Sequence, residues 1–535
     1  MNQQVPLYFV LIFLACFSTT LFGQIDSTNL PLLIIDTFGR EIVDEPKIDA
    51  DLKIIYAEPH YNHPGDTGNI YDGKIGIEIR GRYSASLPQK PYGIETRNAL
   101  GENLNVPLFH MPNENDWILL ANYNDKTFMR NSLTFELFRK MGHYAPQTQF
   151  CEVVVNTFYQ GIYVFTEKIK RDKGRVDIAK LNPDEISGDD LTGGYIIKVD
   201  YYDDSNSWTS SYKPGRHPDK NVHFVYEYPA ADELAPEQKQ YIRDFMHEFE
   251  TLLYAAKYSH QRISKFIDIP SFIDYFILNE LARNVDAYKK SSFFYKDKDS
   301  DGGLLHMGPV WDFDWAWKNI NECFFGAQDG SGWAYKVHDC DVWPVPPGWM
   351  NRLLRDPVYA QKLSNRYFSL RESYLSEDHI FNYIDSMAQV LDAAQIRHFD
   401  RWRILGINVG APETDAQPNT YAGEIDKFKN WITSRLRWLD ANMPSIVVTD
   451  VEESNQHKTI QLFPNPAMTH ITLHAAQAIR QVEIFSLNGK SLHARKGLDG
   501  NSIEMDIATI QGGVFLIKVI FSDGTSRTEK LVKME

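Results

Sequence analysis

Near residue 450 the hydrophobic pattern of this 535-residue chain changes period. Beyond Val451-Glu-Glu-Ser-Asn-Gln-His457 the apolar residues alternate in short runs: Ile460-Gln-Leu-Phe463, His470-Ile-Thr-Leu-His474, Val482-Glu-Ile-Phe485 and Val514-Phe-Leu-Ile-Lys-Val519. Turn residues separate them at Pro464-Asn-Pro466, Asn488-Gly489, Gly512-Gly513 and Asp523-Gly524. Alternation at this spacing builds small all-β units, so 459–535 is expected to form a β-sandwich behind a linker over 446–458. A chain this long exceeds one ordinary core. Its larger part, 29–445, mixes strand and helix patterns, so the fold class is α+β.

Within that part, Leu30-Pro-Leu-Leu-Ile-Ile35, Leu52-Lys-Ile-Ile-Tyr56, Ile75-Gly-Ile-Glu-Ile-Arg80 and Gly161-Ile-Tyr-Val-Phe-Thr-Glu-Lys-Ile169 read as strands, with one helix around Met129–Phe138. This β-rich stretch, about 29–230, suggests a small lobe, and 231–445 a larger one. Pro270-Ser-Phe-Ile-Asp274 opens a second helix, with Ser271 as the expected N-cap and Phe272, Ile273, Phe276, Ile277 and Leu281 as its buried face. Asp286 then falls just beyond its end. A hairpin follows, Ser292-Phe-Phe-Tyr-Lys296 and Leu304-Leu-His-Met307. Its turn, Asp297-Lys-Asp-Ser-Asp-Gly302, imitates the start of a calcium loop, but Gly308 stands where such a loop needs Glu.

After the hairpin comes Gly308-Pro-Val-Trp-Asp-Phe-Asp-Trp-Ala-Trp317, which sets Asp312 and Asp314 among tryptophans. Carboxylates in apolar surroundings are costly unless they meet something positive. Helix, acidic loop, strand, turn, strand, acidic loop is the order in which kinases assemble a phosphoryl-transfer site. Upstream, Arg80-Gly-Arg-Tyr-Ser-Ala-Ser-Leu-Pro-Gln-Lys90 gathers Arg80, Arg82 and Lys90 in a Ser-rich loop suited to anions; a solvated charged hairpin is the competing reading. Paired acids also serve glycoside hydrolases, but nothing marks either Asp312 or Asp314 as the acid of such a pair. Trp315 and Trp317 are expected to pack, while Trp333, Trp343 and Trp349 are candidates for a wall facing substrate.

The formal net charge of −16 excludes nucleic acid as a partner, since phosphate backbones need a basic surface. Leu7–Phe17 is an unbroken apolar run before Ser18-Thr-Thr20 and Gly23, which reads as a signal peptide over 1–23. No later segment is apolar for long enough to cross a bilayer. Three cysteines follow that segment, too few for a disulfide-built scaffold. Cys323 and Cys340 bracket a Gly-rich aromatic loop that an oxidising compartment would let them close; Cys151 sits in the apolar strand Phe150-Cys-Glu-Val-Val-Val155 as a buried thiol.

Tyr71-Asp-Gly-Lys-Ile-Gly-Ile-Glu-Ile-Arg-Gly-Arg82, Lys90-Pro-Tyr92, Asp116-Trp-Ile-Leu-Leu120, Asp125 with Arg130-Asn131, Gly161-Ile-Tyr163 with Glu167, Asn284-Val-Asp286 and Trp311-Asp-Phe-Asp314 occur in that order. Together they resemble the spore coat protein H (CotH) kinase family over most of 29–445. The resemblance implies an atypical, two-lobed protein-kinase-like fold that moves phosphate from ATP to protein hydroxyls with Mg or Mn. It makes Asp286 the catalytic acid and Asp312 a metal ligand; Asp314 is a further metal-binding candidate, for a second ion. Arg80, Arg82 and Lys90 are then candidates for the nucleotide phosphates, and Glu167 for pairing with one of them. Two departures from ordinary kinases stand out: no Gly-x-Gly-x-x-Gly loop, and Ser291 where a metal-binding Asn is usual. A catalytically inactive kinase-like surface or matrix binding protein is the alternative.

The tail resembles the C-terminal sorting domain of the type IX secretion system of Bacteroidetes, through Phe463-Pro-Asn-Pro-Ala467, Ser486-Leu-Asn-Gly-Lys490, Gly512-Gly-Val-Phe-Leu-Ile-Lys-Val519 and Lys530-Leu-Val-Lys533. That implies an immunoglobulin-like sandwich acting as an export address. It also implies passage through the periplasm to the cell surface or the medium, with the secretion machinery as a partner; the kinase resemblance adds a secreted or surface protein substrate.

Overall fold

The alternating strands of the N-terminal region close into a barrel in the computed structural model, which describes residues 25–214, 217–444, 460–486, 489–522 and 526–534. The expected signal peptide and linker lie outside the described residues. The barrel strands are β1 (Leu32–Asp36), β2 (Ile48–Ile55), β3 (Tyr71–Ile79), β4 (Tyr92–Arg97), β5 (Asp116–Ala121), β6 (Thr148–Val155) and β7 (Phe158–Glu167). They hydrogen-bond in the order β1-β2-β3-β4-β5-β7-β6. Every pairing is antiparallel except the closing one, where β1 runs parallel to β6 with Leu32 opposite Glu152. Leu33, Ile35, Leu52, Ile54, Ile75, Ile77, Ile94, Trp117, Leu119, Val153 and Phe165 share one buried cluster inside it. Closure leaves no strand edge unpaired. Cys151 is buried in that cluster.

Between β5 and β6 the chain makes α1 (Arg130–Lys140), whose first turns are buried together with their polar side chains Arg130, Asn131, Ser132 and Thr134. Buried polar groups require partners, and those of α1 reach into the site described below.

A second sheet contains β8 (Tyr195–Val199), β9 (Ser207–Thr209), β10 (His223–Tyr228), β11 (Ser292–Lys296) and β12 (Leu305–Met307) in the antiparallel order β12-β11-β8-β10-β9. A lobe boundary drawn near residue 230 cuts through this sheet, because β8 pairs with both β10 and β11. Around it lie α2 (Pro236–Tyr254), the short α3 (His260–Ile263), α4 (Ile269–Ala282), the short α5 (Trp349–Leu353), α6 (Pro357–Arg371), α7 (Glu377–Trp402) and α8 (Tyr421–Asn442).

Helix α4 is central rather than one-sided: all its residues except Pro270 are buried, as expected of a helix apolar all round. It packs against α1, α6 and α8. Its N-cap is Asp268, not Ser271: the Asp268 carboxylate accepts the Ser271 N–H at 2.8 Å. Pro270 fits the first turn because its missing N–H would have no partner there, and this moves the cap three residues upstream. Arg283 ends the helix in the left-handed conformation at φ 41°.

Two carboxylates of the calcium-like turn are engaged within the protein. Asp297 accepts the Ala179 and Lys298 N–H groups at 2.9 and 2.8 Å, and Asp299 pairs with Lys296 at 2.9 Å. Cys323 and Cys340 form a disulfide, with Cα atoms 6.1 Å apart.

Residues 447–535 form a separate unit. Its strands are β13 (Ile460–Phe463), β14 (His470–Ser486), β15 (Ser491–Asp506), β16 (Gly513–Phe521) and β17 (Ser526–Lys533), ordered β13-β14-β16-β17 with β15 also on β14. The two short runs expected at His470–His474 and Val482–Phe485 are parts of one long strand, β14, whose register shifts between them. Ile471, Leu473, Val482, Ile484, Ile517, Val519 and Leu531 supply this unit's own core. Among the described residues, no helix is long and apolar enough to cross a membrane.

Candidate active site

Helix α1 and the turn before it fix the second acidic loop. Asn131 Oδ1 accepts the Phe313 N–H at 2.7 Å, Thr134 Oγ1 accepts the Trp317 indole N–H at 2.9 Å, and Asn124 Nδ2 donates to Asp314 Oδ2 at 2.6 Å. The Trp317 amide donates to the Ala282 carbonyl at 2.8 Å, tying this loop to the end of α4. The loop begins at Gly308, at φ 129°, where an added Cβ would meet the Phe138 ring at 3.1 Å. Tyr288, Ser291, Asp312 and Trp317 all adopt positive φ. Such backbone costs of order 1–3 kcal/mol per residue and concentrates where a fold holds functional groups in place.

Both acidic loops face one cavity of about 510 Å³, lined by Asp286, Asp312 and Asp314 together with Arg80, Arg82, Lys168, Lys198, Lys290, Asp200 and Glu227. Asp286 lies in the loop after α4, and its carboxylate meets Lys290 at 2.9 Å and Lys289 at 3.2 Å. Burial opposes its charge, but the two ammonium groups outweigh burial and hold the carboxyl below its usual range. Asp312 accepts the Ser291 hydroxyl at 2.6 Å. Burial, and then the neighbouring Asp314 charge, push Asp312 upward against the pull of Ser291 and Arg80. Burial likewise raises Asp314, against its hydrogen bond from Asn124.

On the facing wall Lys198 pairs with Glu227 at 2.9 Å and Asp200 at 3.3 Å. Burial works against its charge, yet the two carboxylates prevail and its pKa is raised. Arg80 lies over Trp311 at 5.7 Å and Arg82 over Tyr201 at 4.0 Å. Burial lowers the pKa of Arg80, with Asp312 and Glu227 acting against it.

Of the residues singled out from the sequence, Asp286, Asp312, Asp314, Arg80 and Arg82 meet in this cavity, whereas Lys90 and Glu167 do not line it. The Lys90 ammonium donates to the Ala85 carbonyl at 2.8 Å. Glu167 is fully buried and accepts the Gln147 N–H at 2.9 Å and the Tyr144 hydroxyl at 3.3 Å, so it pairs with none of the three expected cations. Successive residues of an extended chain point to opposite sides, and it is Lys168, one residue on, that reaches the cavity.

Sequence reasoning missed Lys168, Lys198, Asp200, Glu227 and Lys290 as site residues, and Asn124 and Asn131 as supports. Only Lys290 carried a local signal, standing four residues after Asp286.

Asp312 and Asp314 suit a hard divalent cation. They offer oxygen donors toward one cavity, and the burial that raises both, with the Asp314 charge adding to it at Asp312, opposes ionisation that a bound cation would favour. Among the described residues no group of three or more His, Cys, Asp or Glu gathers closely enough to hold a metal alone. Mg²⁺ in phosphoryl-transfer sites needs only one or two carboxylates, because substrate phosphates complete its shell.

The fold and cavity define the class: an α+β protein with a charged site built on two acidic loops, joined to an all-β C-terminal unit. The chain belongs to the CotH kinase protein family, whose model matches residues 77–439. A secretion system C-terminal sorting domain matches residues 461–534, which marks the chain for type IX export to the cell surface or beyond. It is also 25% identical over 200 residues to inner spore coat protein H of Bacillus subtilis (strain 168), covering 37% of this chain and 49% of that protein. The chain thus spans about half the length of this curated relative.

Proposed function

We propose that the protein is an exported atypical kinase that transfers the γ-phosphoryl group of a nucleoside triphosphate, ATP being the expected donor, to a hydroxyl of a secreted or surface protein. The observation that carries this reading is the convergence of Asp286, Asp312 and Asp314 on one cavity with the cations Arg80, Arg82, Lys168, Lys198 and Lys290. On this reading the barrel with α1 corresponds to a kinase small lobe, the helices around α4 to the large lobe, and the C-terminal unit to an immunoglobulin-like sandwich.

Phosphoryl transfer asks mainly for positioning and charge neutralisation. Arg80, Lys198 and Lys290 would bind phosphate oxygens, and Asp312 with Asp314 would hold Mg or Mn. The metal, when bound, neutralises charge on those oxygens. Asp286 orients the acceptor hydroxyl and takes its proton. The acceptor oxygen bonds to the γ-phosphorus as the bond to the β–γ bridging oxygen breaks, and its electron pair leaves on the nucleoside diphosphate. Ser291, in place of the usual Asn, serves by fixing Asp312. One observation favours an inactive binding protein instead: both lysines already engage the Asp286 carboxylate.

Thermal stability with ATP and Mg or Mn separates the two. Saturating ligand at 100 times its Kd stabilises by about 2.7 kcal/mol. Asp286→Asn is expected to keep that rise while transfer to protein acceptors falls about 10²–10⁴-fold; Asp312→Asn is expected to lose both. No rise with either metal, or full activity in either variant, would defeat the proposal. Binding without transfer in the unaltered chain would favour the inactive reading.

A further inference from the structure

The candidate active site has a neighbour. A smaller cavity of about 340 Å³ adjoins it, and Lys290 lines both. Lys289 lines the smaller one, with its side chain only 1% exposed, and its ammonium bridges Asp286 at 3.2 Å and Glu322 at 2.7 Å. The cavity therefore ends on the groups that hold the Asp286 carboxylate.

Its outer wall is the Cys323–Cys340 disulfide, followed by Asp341 and Trp343. Trp343 is 49% exposed, while Trp349, another candidate for a substrate-facing wall, is 1% exposed and belongs to the core. The Trp343 ring lies 5.0 Å from that of Tyr201, and the Arg82 guanidinium lies over both, at 5.7 and 4.0 Å. Since Arg82 and Tyr201 line the larger cavity, this stack is the partition between the two.

We infer that the smaller cavity is the acceptor subsite, in which a polypeptide segment lies against Trp343 and presents its hydroxyl to Asp286. This rests on the phosphotransfer reading above. The two cavities differ in what they suit. The larger has the volume for a nucleotide and the neighbouring Asp312 and Asp314 carboxylates for its metal. In the smaller, Lys289 and Lys290 are tied to Asp286 and Glu322, and Asp341 to Lys220, which leaves the exposed Trp343 ring as its distinctive feature.

What the smaller cavity offers is an exposed indole just beyond a residue that a disulfide anchors. Rigid aromatic lips of this kind hold peptide main chain and side chains at low entropic cost. The transfer step is the one written above: the O–H proton passes to Asp286, the new O–P bond forms, and the diphosphate leaves from the larger cavity.

The test uses the full chain with ATP, Mg or Mn, and a degenerate library of serine-centred peptides. Trp343→Ala is expected to raise the peptide KM about 10- to 30-fold, the size of a truncated aromatic anchor. kcat should stay within about twofold, Trp343→Phe should recover most of the loss, and the nucleotide-induced rise in Tm should persist. An unchanged KM in Trp343→Ala, or a fall in kcat alone, overturns the assignment, as does an unaltered chain that binds nucleotide yet phosphorylates no peptide of the library. An unaltered chain whose Tm no nucleotide raises refutes the phosphotransfer reading itself, and the subsite with it.

Discussion

Glu250 in α2 gives the sharpest test of the core. Its side chain is buried, Oε2 accepts the Ser210 hydroxyl at 2.6 Å and Oε1 accepts the Trp349 indole N–H at 2.9 Å. None of the ion pairs among the described residues includes it. Burial pushes its pKa from 4.5 up to about 7, with the two hydrogen bonds pulling the other way. In the unfolded chain the group loses its proton near 4.5, so between the two values the folded state keeps a proton that the unfolded state has released. The associated stability is fully present below about pH 4.5, drains away as pH rises to about 7, and is absent above.

A gap of roughly 2.5 pH units at about 1.4 kcal/mol each sets the swing at about 3.5 kcal/mol at most. Glu250→Gln copies the protonated form: its amide oxygen accepts from Trp349 and its NH₂ donates to the Ser210 oxygen. The difference in stability, variant minus unaltered chain, should therefore climb by about 2–3 kcal/mol between pH 5 and pH 8, which in a unit of this size is a Tm change of about 3 °C. Glu280 is also raised to about 7 by burial, against Arg435, but it is common to both proteins and cancels in the difference. Scanning calorimetry at pH 5, 6, 7 and 8 measures it. A constant difference across that range, or one that shrinks as pH rises, would refute the reasoning.

Asn131→Ala leaves the buried Phe313 N–H without its acceptor, which should cost about 1–3 kcal/mol; it should also weaken nucleotide-induced stabilisation, because Asp312 and Asp314 flank that amide. Stability loss with undiminished nucleotide stabilisation would mean that the loop does not depend on α1. Deleting 447–535 removes a unit with its own core, so the Tm of the remaining chain should shift by less than about 2 °C while export is lost. A collapse of the thermal transition on deletion would show the two units to be interdependent.

The sequence disclosed those parts of the site whose signals are local. Asp286, Asp312 and Asp314 announce themselves as carboxylates beside strongly apolar runs, and the cavity contains all three. The cations opposite them were only half visible. A basic, Ser-rich loop points to Arg80, Arg82 and Lys90 alike, yet Lys90 is satisfied by the Ala85 carbonyl five residues earlier, a contact set by the loop's own path. Lys198, Asp200 and Glu227 come from strands whose neighbours are fixed only by long-range pairing, with β8 lying between β10 and β11. No periodicity encodes that order. The cap of α4 was legible in principle, since Pro270 marks the first turn and Asp268 stands before it, but a serine directly after proline drew the assignment instead.

The closing pair of the barrel bears on how this protein can leave the cell. Strand β2, the antiparallel partner of β1, follows it directly in the chain, but in a chain that emerges from its N-terminus the other side of β1 would stay bare until Glu152 to Val155 have followed. Throughout that interval the leading strand offers a row of free amides and carbonyls to any extended chain nearby. A recombinant start downstream of Leu32 would make the condition permanent, with β2 and β6 as two open edges and Val153 to Val155 in one of them. Soluble material should therefore begin upstream of β1, and shortening the chain into that strand should turn soluble protein into aggregate.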